Sequence, residues 1–150
     1  MTAPSNEKEV LEQLTRTLEE QPFARLVGTK ITHVERGRVE LTVENRPELA
    51  QQAGFLHGGV IGYLADNSCA FAAGTVRPEG AAGLVTSEYK VNILRPATGT
   101  RVIARSEVVR AGRIQCVAEA RIYCDEGSEE KLVAIALATL VYVYDSAKAV

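Results

Sequence analysis

Apolar residues follow two different periods along the chain, and the change of period predicts where helices and strands lie. Four apolar residues at helical spacing predict a short amphipathic helix within residues 6–20, with Ser5 or Asn6 as its N-cap: Val10, Leu11, Leu14 and Leu18. Pro22 is expected to end this helix. Residues 28–36 and 38–44 alternate apolar and polar positions around Arg36-Gly37, which predicts a β-hairpin.

The stretch 54–73 is apolar on nearly every side of the helix it would form, which is typical of a helix enclosed by other structure. Between Glu48 and Arg77 it carries one formal charge, Asp66. Ionised carboxylates rarely stay in such surroundings unless they are paired, hydrogen-bonded or used in chemistry. Asp66 is therefore either a structural residue that caps a neighbouring loop or a catalytic acid.

Four longer strands are predicted after the turn at residues 77–80, and they span 84–94, 101–110, 113–124 and 131–144. Their short connections predict that consecutive strands pair in antiparallel fashion. On one side of each of the last two strands the apolar side chains are of modest size and leave room for a helix: Ile114, Cys116, Ala118, Ala120, Ile122, Leu132, Ala134, Ala136, Ala138 and Leu140. The other side of the last strand is also apolar, so we expect a further subunit to cover it: Val133, Ile135, Leu137, Val141 and Val143.

Together these elements predict an α+β fold, in which a curved antiparallel sheet of about six strands wraps around one long central helix. A short N-terminal helix is added to it. A chain of 150 residues has room for one such domain. We expect residues 1–21 to form the amphipathic N-terminal helix and residues 22–150 to form the domain.

Composition narrows the class of protein. A hydrophobic content of 46% and a net charge of −2 indicate a soluble globular protein, and no basic stripe suggests a nucleic-acid partner. The N-terminus lacks the layout of a signal peptide, and the uncharged run 132–144 is too short to span a bilayer. A cytoplasmic protein without a membrane or nucleic-acid partner is expected. Cys69, Cys116 and Cys124 have no metal-ligand spacing and are predicted to be free thiols.

The tripeptide His57-Gly58-Gly59 stands where the central helix begins. Glycines there let a ligand approach the backbone N–H groups at the positive end of the helix dipole. The alternative interpretation is that these are ordinary loop glycines beside a histidine without a function. His57 and Asp66 are nine residues apart, about 13.5 Å along the axis, and point to opposite sides of the helix. If they serve one site, the acid must come from a second copy lying antiparallel across a two-fold axis.

The string His57-Gly-Gly followed by Asp66, on a helix with a hairpin before it and four strands after it, resembles the hotdog-fold acyl-CoA thioesterases. Within them it is similar to the phenylacetate-degradation (PaaI-type) branch, over residues 22–144. The resemblance implies an enzyme that hydrolyses an aryl- or fatty-acyl-CoA to the free acid and CoA. Gly58 N–H would bind the thioester oxygen, and Asp66 from the partner subunit would act as nucleophile or general base. His57 and Gln51 would position the reacting groups.

The same resemblance implies that Thr86 assists the acid and that five residues bind the CoA portion: Gly59, Arg95, Arg110, Gly112 and Arg113. The residues alone fit an ordinary interpretation equally well, in which Gln51 is a solvent-facing loop residue and Thr86 is a residue that favours strands. Residues 110–113 are likewise an ordinary soluble hairpin turn. The implied assembly is a homodimer, with two dimers forming a homotetramer. The reaction requires no metal and no cofactor besides the coenzyme A of the substrate.

Two other functions are compatible with such a fold. A hotdog domain can hold an acyl-CoA without cleaving it, as a sensor or carrier, but such a binder has no need of a charged group on its buried helix. A hotdog hydratase or dehydratase would act on hydroxyacyl thioesters. Those enzymes pair their histidine and acid differently, and the sequence holds no second motif of that kind.

Overall fold

The computed structural model describes residues 7–145, in which two short helices and a hairpin precede a long helix and four strands. The elements are α1 Glu7–Glu19, α2 Pro22–Val27, β1 Lys30–Glu35, β2 Arg38–Glu44, α3 Gly58–Gly74, β3 Ala81–Ile93, β4 Arg101–Ala111, β5 Gln115–Asp125 and β6 Glu130–Tyr144. The predicted N-cap residues Ser5 and Asn6 lie outside the described residues. No helix within 7–145 is long and apolar enough to cross a membrane.

Pro22 does more than end the first helix, because it begins a second one that the sequence pattern did not predict. Its fixed φ suits a first helical turn, where the N–H it lacks would have no intrahelical partner. Gly28 ends α2 in the left-handed conformation, with φ of 80°. The guanidinium group of Arg46 holds this end by donating hydrogen bonds of 2.5 and 2.6 Å to two carbonyl oxygens, those of Leu26 and Val27.

All six strands belong to one antiparallel sheet, in the order β1-β2-β4-β5-β6-β3. The sheet curves around α3, and eleven of the 17 residues of that helix are buried. Small apolar side chains of β5 and β6 make room for the helix as predicted, and these are buried: Cys116, Ala118, Ala120, Ala134, Ala136 and Ala138. The predicted α+β fold with a six-stranded curved sheet and one central helix is confirmed.

The prediction that consecutive strands pair is wrong for β3, which pairs with β6 at the edge of the sheet. The loop after β3 crosses the end of the sheet to reach β4. About three strand spacings, roughly 14 Å, separate β3 from β4, and seven extended residues reach about 23 Å. Leu94 N–H and Thr100 N–H donate to the carbonyls of Val133 and Asp125 on the way, at 2.8 and 2.9 Å. At Gly99 any side chain would overlap the Asp125 backbone.

Three residues of the predicted apolar rows lie elsewhere. Ile114 is 68% exposed because it belongs to the turn between β4 and β5 instead of to the inward face of β5. The register between β5 and β6 shifts beside Tyr123, so Val133 is buried instead of facing outward, and Leu132 pairs with Tyr123 and leaves the inward row. The outer face of β6 keeps three exposed apolar side chains: Ile135, Leu137 and Val143.

Candidate active site at the central helix

The start of α3 is capped by His57, whose Nδ1 accepts a hydrogen bond of 2.8 Å from the N–H of Gly59. This bond requires an unprotonated Nδ1, and it orients the imidazole ring. The Gly59 N–H is therefore already engaged. Within residues 7–145 no acceptor is found for the N–H of Gly58. Gly58 thus offers the free donor at the positive end of the helix dipole.

Three of the residues predicted for the site line a single cavity of about 370 Å³ at this helix start. Gly58 lies beside Gln51 and Arg95, and the rest of the lining is apolar. The side-chain oxygen of Gln51 accepts a hydrogen bond from the N–H of Ala53, which leaves its amide NH₂ group for other partners. We call this space the entrance cavity.

Asp66 lies farther along α3, half-buried, and contacts strand β3. The hydroxyl of Thr86 donates a hydrogen bond of 2.6 Å to its Oδ1. Among the described residues the carboxylate is thus hydrogen-bonded to a strand side chain, with no bond to a loop backbone. None of the ion pairs found among the described residues involves Asp66. The arrangement fixes the carboxylate without neutralising it.

One chain does not bring Gly58 and Asp66 together. Helix α3 runs antiparallel to β3, with Ile93 beside the helix start and Thr86 beside Asp66. The eight residues from Gly58 to Asp66 correspond to about 12 Å of helix. A thioester carbonyl that touched the N–H of one would lie out of reach of the other in the same subunit.

The residues predicted to bind CoA phosphates are also divided between two places. Arg110, Gly112 and Arg113 line a separate cavity of about 520 Å³ at the turn between β4 and β5. Strand β4 extends from Arg101 to Ala111, roughly 30 Å, and Arg95 lies near its other end. Within a single chain these arginines therefore do not surround one ligand.

A polar network beside Asp66 was missed from the sequence. The Tyr63 hydroxyl lies 2.9 Å from the hydroxyl of Thr29 and accepts a hydrogen bond of 3.0 Å from the Asn67 side chain, which also donates to Gln21 at 3.2 Å. Burial raises the pKa of Tyr63, so it keeps its proton. Two polar residues one turn apart in an apolar helix were the available signal. The network ties the junction of α1 and α2 to the central helix.

Cys69, also on α3, is not a candidate nucleophile. Burial, assisted by the nearby charge of Asp66, raises the pKa of its thiol to about 12. The reactive form of cysteine is the thiolate, which is scarce here at neutral pH. Among residues 7–145 we find no group of three or more His, Cys, Asp or Glu side chains that could hold a metal ion.

Comparison with known proteins places the chain in a family. A family model described as the Thioesterase superfamily matches residues 53–131, more than half of the 150-residue chain. The medium/long-chain acyl-CoA thioesterase YigI of Escherichia coli K12 is 29% identical over 140 aligned residues, covering 81% of this chain and 84% of YigI. The crystal structure of a thioesterase family protein from Silicibacter pomeroyi is 36% identical, with a TM-score of 0.85, covering 93% of this chain and 100% of that one.

The PaaI protein from the phenylacetic acid degradation operon of E. coli also has this fold, with a TM-score of 0.81 over 93% of this chain and 96% of that one. Its identity is 21%, so this likeness shows the fold alone and the PaaI-type branch stays a prediction. The segment matched by the family model contains His57, Gly58, Asp66 and Thr86. The chain therefore belongs to the Thioesterase superfamily, and the activity that the comparisons support for it is the hydrolysis of thioesters.

Proposed function

We propose that the protein is an acyl-CoA thioesterase that releases the free acid and CoA. The observation that carries this proposal is the half-buried Asp66 carboxylate, which Thr86 holds at 2.6 Å while no ion pair among the described residues neutralises it. The name of YigI supports an acyl-CoA substrate with a medium or long chain. The motif around His57 supports the PaaI-type branch.

The chemistry uses the positive N-terminus of one α3 helix and the Asp66 carboxylate midway along another. The N–H of Gly58 binds the thioester oxygen and stabilises the negative charge that develops there. Asp66 either attacks the carbonyl carbon, forming a mixed anhydride that water then cleaves, or takes a proton from a water molecule that attacks instead. In both cases the C–S bond breaks and CoA leaves as a thiolate, which takes its proton from solvent in the first route and from the protonated Asp66 in the second. His57 orients the helix start, and Gln51 positions the water or the thioester.

A homodimer completes the site in this proposal. Strand β3 is an edge strand of 13 residues whose exposed side chains include the apolar or aromatic Val85, Tyr89 and Ile93. Natural proteins rarely leave so long an apolar edge without a cover. Antiparallel pairing of β3 with the same strand of a second copy would set two α3 helices side by side in opposite directions. Gly58 of one subunit then faces Asp66 of the partner subunit.

The same pairing would gather the arginines. Arg95 lies at the start of α3, whereas Arg113 lies at the opposite end of the sheet. An antiparallel second copy reverses these ends, so cations from both subunits can meet the phosphates of one CoA. The exposed Ile135, Leu137 and Val143 on the outer face of β6 would be covered where two dimers join.

Release of a free thiol from acyl-CoAs tests the activity directly. Acetyl-, decanoyl-, dodecanoyl- and phenylacetyl-CoA are supplied to the purified protein, and the thiol is measured with a chromogenic disulfide. We expect turnover of at least one of them, at a rate proportional to enzyme concentration. Absence of thiol from every thioester would reject the proposal and favour an acyl-CoA-binding module or a hydratase.

Mixed dimers test the shared site. Chains with Asp66→Ala and chains with Gly58→Val, each inactive alone, are co-expressed with different affinity tags and purified as heterodimers. Each heterodimer keeps one intact site, so we expect up to half of the wild-type activity per dimer. Verified heterodimers that recover nothing would contradict a site built from two subunits.

A further inference from the structure

A third cavity lies next to the hydrogen-bonded pair of Asp66 and Thr86. It has a volume of about 520 Å³ and lies between α1, the second half of α3 and the start of β3. Ala70 follows Asp66 by one helical turn, and Leu84 precedes Thr86 by two strand positions, so both residues continue the faces that carry the pair. We call this space the α1–α3 groove.

The lining of the α1–α3 groove differs from that of the two cavities that contain arginines predicted to bind CoA. Its walls carry apolar side chains, with Val10 and Leu14 from α1, Phe71 from α3 and Leu84 from β3, and also uncharged polar ones: Gln13, Thr17, Gln21, Asn67 and Thr75. Among the residues that line it, Arg77 alone carries a charge. Phosphate groups therefore have partners at the other cavities, whereas this groove suits an uncharged hydrocarbon.

The groove is held open by the local structure. Of the apolar residues of α1, Val10 and Leu14 stay half-exposed although they pack against the core, whereas Leu18 is buried. On the opposite wall a Cβ atom added at Gly83 would meet no atom within 4 Å. The volume lies within the range of roughly 300–1,000 Å³ that is usual for small-molecule sites.

We propose that the α1–α3 groove binds the acyl chain of the substrate and that α1 sets the chain length the enzyme accepts. This inference rests on the proposed thioesterase function and extends it to a substrate class, acyl groups with a long unbranched hydrocarbon tail. The thioester carbon lies at Asp66, and the tail extends past Ala70 and Phe71 toward Gly83.

Filling the groove tests this assignment. Gln13 is exposed on α1 and lines the groove, whereas its neighbour Glu12 is equally exposed and does not line it. We expect Gln13→Trp to lower kcat/KM for dodecanoyl-CoA at least tenfold and to change that for acetyl-CoA less than twofold. Glu12→Trp is the matched control and should change neither. Gly83→Leu fills the groove from the other wall and should repeat the selective loss.

A binding measurement separates this inference from the proposed function. Dodecyl-CoA thioether, which cannot be hydrolysed, and free CoA are titrated into each variant by calorimetry. We expect Gln13→Trp to weaken thioether binding at least tenfold and CoA binding less than twofold. Equal chain-length profiles for the wild type and both filled variants, or a wild type that acts on short or aryl chains alone, would overturn the groove assignment. If the filled variants selectively lose thioether binding but the wild type releases no thiol from any acyl-CoA, hydrolysis is rejected and the groove assignment is kept.

Discussion

The two long faces of helix α3 differ in what surrounds them. The face toward the sheet carries residues with at most 2% exposure, and we call it the sheet face: Ile61, Leu64, Ala65, Ser68, Cys69 and Ala72. The other, which we call the open face, carries small or polar residues that keep solvent access: Gly59, Tyr63, Asp66, Ala70 and Gly74. A strand side chain also bonds the backbone of the sheet face, since the Ser106 hydroxyl donates a hydrogen bond of 2.7 Å to the carbonyl oxygen of Ser68.

This difference separates stability from chemistry on a single element. Close packing fixes the sheet face, so changes there should cost folding free energy and spare catalysis. The open face holds the Asp66 carboxylate, which the Thr86 hydroxyl orients and which has no ion-pair partner among residues 7–145, so changes there should cost catalysis and spare folding. Four measurements test this separation: three change or label residues of α3, and one changes Thr86 of β3, which holds Asp66.

Asp66→Asn, on the open face, should have the largest effect. The amide keeps the shape and can still accept the Thr86 hydrogen bond, but it can neither attack a carbonyl nor take a proton. We expect kcat to fall roughly 10³-fold or more. Acyl-CoA binding should stay within a few-fold, and the free energy of unfolding should stay within about 1 kcal/mol. Turnover by this variant at the wild-type rate would remove Asp66 from the mechanism.

Leu64→Ala, on the sheet face, should give the opposite pattern. Leu64 has 0% exposure, and its truncation leaves a cavity against the sheet. We expect the free energy of unfolding to fall by about 2–5 kcal/mol, measured by urea denaturation, with kcat per folded molecule unchanged. Leu26→Ala is the control, because Leu26 is 70% exposed and its truncation should cost less than about 0.5 kcal/mol. A stable Leu64→Ala variant with lost activity would reverse the assignment of the faces.

The sheet face could be predicted from sequence better than the open face. An apolar run with one charge predicted a buried helix, and alternation together with turn residues predicted six strands to within about three residues at each end. The order of the strands depends on the crossing after β3, where Leu94 and Gly99 meet the backbone of distant strands. No local pattern encodes such contacts. Helix α2 has six residues, too few for a helical period to show.

The open face depends on contacts between distant parts of the chain. The bond from Asn67 to Gln21 joins residues 46 positions apart, and the bond from Thr86 to Asp66 joins residues 20 positions apart. Thr86 was named from family resemblance, and the residues alone left it an ordinary strand position. The helical period predicted α1 but not the α1–α3 groove beside it, because the partial exposure of Leu14 follows from packing that the period does not specify.

Thr86→Val should have an intermediate effect. It keeps the side-chain shape but removes the donor that holds Asp66, and hydrogen bonds to charged groups are worth about 1.5–3 kcal/mol. We expect kcat to fall roughly tenfold or more with KM within twofold. Thr86→Ser keeps the hydroxyl and should restore most of the rate. Equal rates for the valine and serine variants would show that the hydroxyl does not orient the acid.

The smallest effect is expected when a thiol reagent is added to the wild-type protein, because Cys69, Cys116 and Cys124 are all buried. Cys69 lies on the sheet face, and burial raises the pKa of its thiol to about 12. A thiol whose pKa lies above the pH is mostly protonated. At pH 8 the thiolate fraction of Cys69 is therefore about 10⁻⁴, against roughly a quarter for an ordinary thiol. Ala70→Cys places a thiol one residue farther on, on the open face. At pH 8 we expect mass spectrometry to find Cys at position 70 labelled at least 100-fold faster than Cys69, and Cys69 labelling to rise with pH. Equal labelling rates would mean that α3 leaves the sheet often enough for its two faces to be chemically alike.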